Sequence, residues 1–142
     1  GSFREYTGAE MEFGYRTSRV LHEKSVALEA VLELTPGDPT VIQNRMEELK
    51  EARITKQPLN YASAGSTFKR PEGYFAGKLI QDAGLSGFSV GDAQVSEKHC
   101  GFVINRGEAT AADVADLIRK VQEQVYEKFQ VKLEPEVRML GF

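Results

Sequence analysis

The stretch that decides the fold runs from Phe102-Val103-Ile104 to Thr110-Ala111-Ala112-Asp113-Val114 and on to Phe129. Phe102-Val103-Ile104 is a short, unbroken apolar run, as expected of a brief buried strand. Thr110 and Asp113 have the spacing of a capping box, in which the two side chains satisfy each other's backbone N–H groups at a helix start. Beyond them Val114, Leu117, Ile118, Val121, Val125 and Phe129 recur at helical spacing. A strand period thus gives way to a helix period within one short connection.

The flanking segments extend this pattern. Val131 to Leu140 alternates weakly and is expected to close the fold as a strand. Tyr74 to Ala83 predicts a short helix with Phe75, Leu79 and Ala83 aligned and Gly84 as its stop. Leu85 to Gly91 reads as a glycine- and serine-rich loop, and Gln57 to Gly73 as a loop punctuated by Pro58 and Pro71. Asp38 can cap a helix with Pro39 in its first turn. Ile42, Met46, Leu49 and Arg53 then share one side as far as about Lys56. Val26, Leu28, Ala30, Leu32 and Leu34 alternate, predicting a strand over Ser25 to Thr35, and Glu10 to Tyr15 predicts a shorter one. The fold class expected is α+β, with two to three helices packed on an antiparallel or mixed sheet.

Composition narrows the function. The chain has 142 residues, 41% of them hydrophobic and 27% charged, which suits a globular domain with a real core. Its net charge of −3 argues against a nucleic-acid binder. Cys100 is the only cysteine, so no intrachain disulfide forms, and a reducing compartment is expected. No apolar run approaches the roughly 18 residues of a membrane-spanning helix, and the N-terminus lacks the order of a signal peptide. Gly1-Ser2 reads as a cleavage scar from expression, which would make Phe3 a cut inside a longer protein.

The segment Ser63-Ala64-Gly65-Ser66-Thr67-Phe68-Lys69-Arg70-Pro71 holds the densest chemistry. Small residues allow close approach to the main chain, and Lys69 and Arg70 add charge suited to phosphate or carboxylate. It reads as an ordered loop offering the Ser66 hydroxyl to an anionic ligand, although a plain structural turn has the same composition. His22 and His99 are far apart, and neighbouring His99 and Cys100 would point to opposite faces of a strand, so no metal site is expected. No common nucleotide-binding fingerprint is present. Ser66 and His99 with some acid could be chosen as a triad, but a chain of this length permits many such choices. Tyr15-Arg16-Thr17-Ser18 and Glu134-Pro135-Glu136-Val137-Arg138 also place charge in unusual contexts. Arg16 fits a solvated strand end, and the second segment fits a charged edge strand with Pro135 blocking pairing.

Taken in order, several motifs resemble the UDP-N-acetylenolpyruvoylglucosamine reductase (UDP-N-acetylmuramate dehydrogenase) family. They are Phe13-Gly14-Tyr15-Arg16-Thr17-Ser18, Ala64-Gly65-Ser66-Thr67-Phe68-Lys69-Arg70-Pro71, Ala76-Gly77-Lys78-Leu79-Ile80 with Ala83-Gly84-Leu85, and Leu133-Glu134-Pro135-Glu136-Val137-Arg138. Val95-Ser96-Glu97-Lys98-His99 before Gly101-Phe102-Val103-Ile104-Asn105 fits as well.

The resemblance implies a bacterial, cytoplasmic flavoenzyme of peptidoglycan synthesis. NADPH would reduce FAD, and the flavin would reduce UDP-N-acetylglucosamine enolpyruvate to UDP-N-acetylmuramate. It implies that residues 3–20 are the tail of a preceding FAD-binding region carrying the arginine motif, and that 21–142 are the C-terminal substrate-binding domain. FAD would be held mainly by upstream domains of the same chain, so this stretch alone would be inactive. The catalytic roles implied are Ser66 as proton donor to carbon, with Arg16 and Glu136 stabilising the enol-type intermediate. Glu136 would do so only while protonated, which needs an enclosed site. Tyr15, Lys56, Arg70 and His99 fall near positions lining the sugar-nucleotide pocket, with Lys69 and Arg70 as cations toward the anionic ligand. Ser66 and Glu136 are expected to converge. The alternative class is a non-catalytic module binding an anionic sugar nucleotide or a protein partner.

Overall fold

The computed structural model describes residues 1–141, which divide into two compact units, one of Gly1–Asp38 and one that begins at Pro39.

The first unit is built from turns. The Glu10 carboxylate accepts hydrogen bonds from the Thr7 N–H at 2.8 Å and the Thr7 hydroxyl at 2.7 Å. These bonds hold its carboxyl below the usual range. Gly14 and Thr17 form an isolated antiparallel bridge, and helix α1 (Arg19–His22) follows. The strand expected over Glu10 to Tyr15 therefore reduces to that bridge. Ser25 to Thr35 forms no strand either. Val26, Leu28, Leu32 and Leu34 remain exposed. Alternation marks a face that could be buried, but a strand exists only through ladder bonds to a partner, and none is formed here.

The second unit begins with helix α2 (Pro39–Lys56), where the sequence places it. Its apolar row, Ile42, Met46 and Leu49, is exposed, and no residue of the helix is buried. Its polar side carries the pairs Arg45–Glu48 at 2.6 Å and Lys50–Glu47 at 3.2 Å. Strand β1 (Ala62–Ser66) comes next, where the sequence predicted loop. Helix α3 (Ala76–Asp82), strands β2 (Ser89–Val90), β3 (Ala93–Val95) and β4 (Phe102–Asn105), and helix α4 (Ala111–Phe129) complete it. The sheet order is β1-β4-β3-β2, with every neighbouring pair antiparallel.

Helices α3 and α4 pack with the sheet around one core. Ile80, Leu85, Ala93, Val95, Leu117, Ile118, Val121 and Val125 are its buried centre. The capping box predicted at Thr110 is formed. The Asp113 N–H donates to Thr110 Oγ1 at 3.1 Å, and Asp113 Oδ2 accepts from the Thr110 N–H at 2.8 Å. Gln130 ends the helix in the left-handed region at φ 57°. The strand expected over Val131 to Leu140 is instead a single bridge, Phe68 to Pro135. The Lys69 N–H donates to the Glu134 carbonyl at 2.8 Å, and the Glu136 N–H to the Thr67 carbonyl at 2.9 Å. Pro135 sits between these bonds, where its missing N–H costs no partner.

Candidate functional site

Ser66 ends β1 at an irregularity. Ala62 pairs with Asn105 and Ser63 with Ile104, but the next pairing is Ser66 with Phe102. Three steps on β1 thus match two on β4, which is a β-bulge. Gly65 lies within it at φ 89°, a conformation that costs glycine little and other residues more. The sequence read Ser66 as part of a loop; the structure makes it the exposed end of a bulged edge strand.

Thr67 follows, only 2% exposed, and three segments meet on it. Its N–H donates to the Gly101 carbonyl at 2.8 Å, and its carbonyl accepts from the Glu136 N–H at 2.9 Å. The Val103 N–H donates to its hydroxyl at 3.0 Å. The main chain of Glu136 therefore lies against the residue next to Ser66. The Glu136 side chain is exposed.

Lys69 and Arg70, read as cations for an anionic ligand, already have protein partners. Lys69 Nζ forms an ion pair with Glu134, both exposed. Arg70 Nε donates to the Tyr74 carbonyl at 3.3 Å, and its guanidinium lies 4.0 Å from the Phe75 ring centroid. That stacking fixes the plane in which the fork can meet an oxyanion.

His99 stands on the turn leading into β4. The Gly101 N–H donates to its Nδ1 at 3.1 Å, and its ring meets Phe102 edge to face at 5.0 Å. An accepting Nδ1 puts the proton of the neutral ring on Nε2. The turn packs closely on α3: a Cβ added to Gly77 would lie 3.1 Å from the Gly101 nitrogen. Lys56 is the last residue of α2, and Lys98 Nζ donates to the Ile54 carbonyl at 2.7 Å. Both cations sit at the negative end of the helix dipole.

Tyr15 and Arg16 lie in the first unit, at the tip of the Gly14–Thr17 bridge. The bridge is closed by bonds of 3.0 Å and 3.3 Å. Arg16 has φ 56°, unusual for a residue with a Cβ, and its guanidinium is 5.7 Å from the Tyr15 ring. Thr17 Oγ1 and His22 Nε2 are hydrogen-bonded at 2.9 Å, which fastens the turn to α1.

Sequence reading assigned no role to Thr67 or to a second polar region. Ser89, Gly91, Asp92, Gln94 and Arg106 line an open recess of about 240 Å³. Asp92 Oδ2 accepts from the Glu108 N–H at 2.8 Å, and Arg106 Nη1 donates to Gln94 Oε1 at 3.2 Å. These bonds hold the loops together. Among the described residues no group of three His, Cys, Asp or Glu side chains could hold a metal ion, and no helix is long and apolar enough to cross a membrane.

Comparison with known proteins bears on this geometry. Residues 57–140 match the family described as UDP-N-acetylenolpyruvoylglucosamine reductase, C-terminal domain. Among curated relatives, the UDP-N-acetylenolpyruvoylglucosamine reductase of Agathobacter rectalis is 60% identical over 141 residues, covering 99% of this chain and 45% of that protein. The enzyme of that name from Clostridioides difficile is 56% identical over 141 residues, covering 99% and 46%. The crystal structure of UDP-N-acetylenolpyruvylglucosamine reductase from Thermus caldophilus superposes with a TM-score of 0.81 at 38% identity, covering 96% of this chain and 48% of that one. The chain spans about half the length of the curated relatives it matches.

Proposed function

The chain belongs to the UDP-N-acetylenolpyruvoylglucosamine reductase family, and from that membership we propose that it is the substrate-binding part of a reductase of bacterial peptidoglycan synthesis. The substrate would be UDP-N-acetylglucosamine enolpyruvate and the product UDP-N-acetylmuramate, with FAD and NADPH as the redox partners of the parent protein. The observation that carries the reading is the junction at Thr67, which seats the Glu136 main chain beside the Ser66 strand end.

From the resemblance, FAD is assigned mainly to upstream domains of the parent, and no step here runs through it. The isolated chain is expected to purify colourless and to leave NADPH unoxidised.

What these residues would supply is the rest of the chemistry. Reduction of the enolpyruvyl double bond places negative charge beside the substrate carboxylate. Arg16, charged at every working pH, would bind that carboxylate in two-point fashion and offset the charge. Ser66 would give its hydroxyl proton to carbon. A serine hydroxyl is a weak acid, so it must be fixed against the reacting atom in a water-excluding site. Glu136 would help Arg16 stabilise the enol-type intermediate. Arg70, oriented by Phe75, and Lys69 would face the diphosphate, while Lys56, Tyr15 and the Nε2–H of His99 would contact the sugar nucleotide.

The test is NADPH oxidation by the parent protein, given UDP-N-acetylglucosamine enolpyruvate, in Arg16→Lys, Ser66→Ala and Glu136→Gln variants. Each is expected to lose substrate reduction. Wild-type turnover in all three would overturn the assignment.

A further inference from the structure

At the bulge that presents Ser66, two side-chain hydroxyls of the β1 side bond to the backbone of one β4 residue. In β4, the Phe102 carbonyl is turned toward β3, where it accepts from the Ser96 N–H at 2.9 Å. The backbone groups of the next residue, Val103, face β1 instead. The bulge sets the two residues Ala64-Gly65 against this one residue of β4. Two hydroxyls flanking the bulge also bond to it: the Ser63 hydroxyl donates to the Val103 carbonyl at 2.8 Å, and the Val103 N–H donates to the Thr67 hydroxyl at 3.0 Å. Ser63 Oγ also accepts from the Gly65 N–H at 3.2 Å, inside the bulge itself. Thr67 is buried, so water is poorly placed to replace its hydroxyl.

We infer that Ser63 and Thr67 are positioning residues for Ser66: their hydroxyls both bond to Val103, opposite the bulge, and so hold the bulge that aims the Ser66 side chain. The inference rests on the reading of Ser66 as the proton donor. The bulge matters because side chains alternate along a strand. Removing the extra residue would shift the register by one and turn Ser66 toward the opposite face. The two clamps bracket the bulge, one on each side.

The experiment uses the full-length parent protein with its flavin. Thr67→Val keeps the shape and removes the acceptor; Ser63→Ala removes the donor. Thr67→Ser and Ser63→Thr restore each hydroxyl. Rapid mixing separates flavin reduction by NADPH from reduction of the enolpyruvyl substrate. Both hydroxyl-deleting variants are expected to slow the second half-reaction by about 10–100-fold, the scale of a small misplacement of a reacting group. KM for the enolpyruvyl substrate and the rate of flavin reduction should stay at wild-type values, and the two restoring variants should recover the lost rate. Wild-type rates in Thr67→Val and Ser63→Ala, with Ser66→Ala inactive, would overturn the inference and leave the role of Ser66 intact. Equal losses in both half-reactions would also overturn it, because they mark general damage. If Thr67→Val fails to fold, the more exposed Ser63→Ala decides alone. Wild-type turnover in Ser66→Ala would remove the reading beneath the inference, and the inference with it.

Discussion

Lys69 and Glu134, 65 positions apart, are joined twice: the Lys69 N–H donates to the Glu134 carbonyl at 2.8 Å, and the two side chains form an ion pair. Lys69, three residues beyond Ser66, thus carries its own counter-charge. An exposed pair of this kind contributes about 0.2–1 kcal/mol to stability. Glu134→Gln is therefore expected to change the denaturation midpoint little. It should strengthen binding of an anionic nucleotide in low salt, because it removes a carboxylate from beside the ligand's cation. Titration calorimetry at two salt concentrations checks both halves, and weaker binding would count against Lys69 as a phosphate contact.

Ser66→Ala in the parent protein should leave flavin reduction by NADPH intact and slow substrate reduction by at least about 10²–10⁴-fold, the range of general acid catalysis. Ser66→Cys should retain more activity than Ala, because a thiol is also a donor and a stronger acid. Rapid mixing measures both steps. Slowed flavin reduction with untouched substrate reduction would return Ser66 to a purely structural role.

Part of this fold is legible in the sequence because the decisive signals are local. The α4 stripe and the Thr110–Asp113 spacing state a helix and its start within a few residues. Strand β1 is not legible, because Ala62-Ser63-Ala64-Gly65-Ser66 holds no β-branched or aromatic residue. It exists through pairing with β4, far along the chain. Ser25 to Thr35 is the converse: an ideal alternation with no ladder. At the site, the Ser66 segment and the carboxylate beside Pro135 stand out from residue types alone, but their catalytic roles come only through family resemblance. The junction on Thr67 is invisible in the sequence, because a backbone carbonyl accepting a distant N–H leaves no trace in residue type.

The capping box at α4 gives a pH test. Hydrogen bonds from Thr110 hold the Asp113 carboxyl below its ordinary 3.8. A carboxyl lowered in the folded state stabilises the fold above its unfolded value and loses that contribution as pH falls through the folded one. Thr110→Ala should cost about 1 kcal/mol at neutral pH. Its stability should fall less steeply than wild type below about pH 4. Parallel acid titrations of the two proteins, followed by circular dichroism, would show this; identical acid slopes would refute the link.

Core and exposed apolar residues should separate cleanly. Leu117 is fully buried on α4, so Leu117→Ala is expected to cost about 2–5 kcal/mol. Met46 on α2 is 59% exposed, and Met46→Ala should change stability by no more than about 0.5 kcal/mol. Urea unfolding of this chain measures both. A large loss at Met46 would mean that its row is covered in solution.

The bulged β1 also bears on solubility. A sheet edge is a template on which another molecule's strand can grow, and long, flat, apolar edges are the dangerous ones. Here the edge strand has five residues, is interrupted by a bulge, and carries only alanine, glycine and serine. Just beyond it the main chain of Thr67 and Lys69 is already bonded to the Pro135 segment. The irregularity that points a hydroxyl outward therefore also makes this edge a poor seed for aggregation.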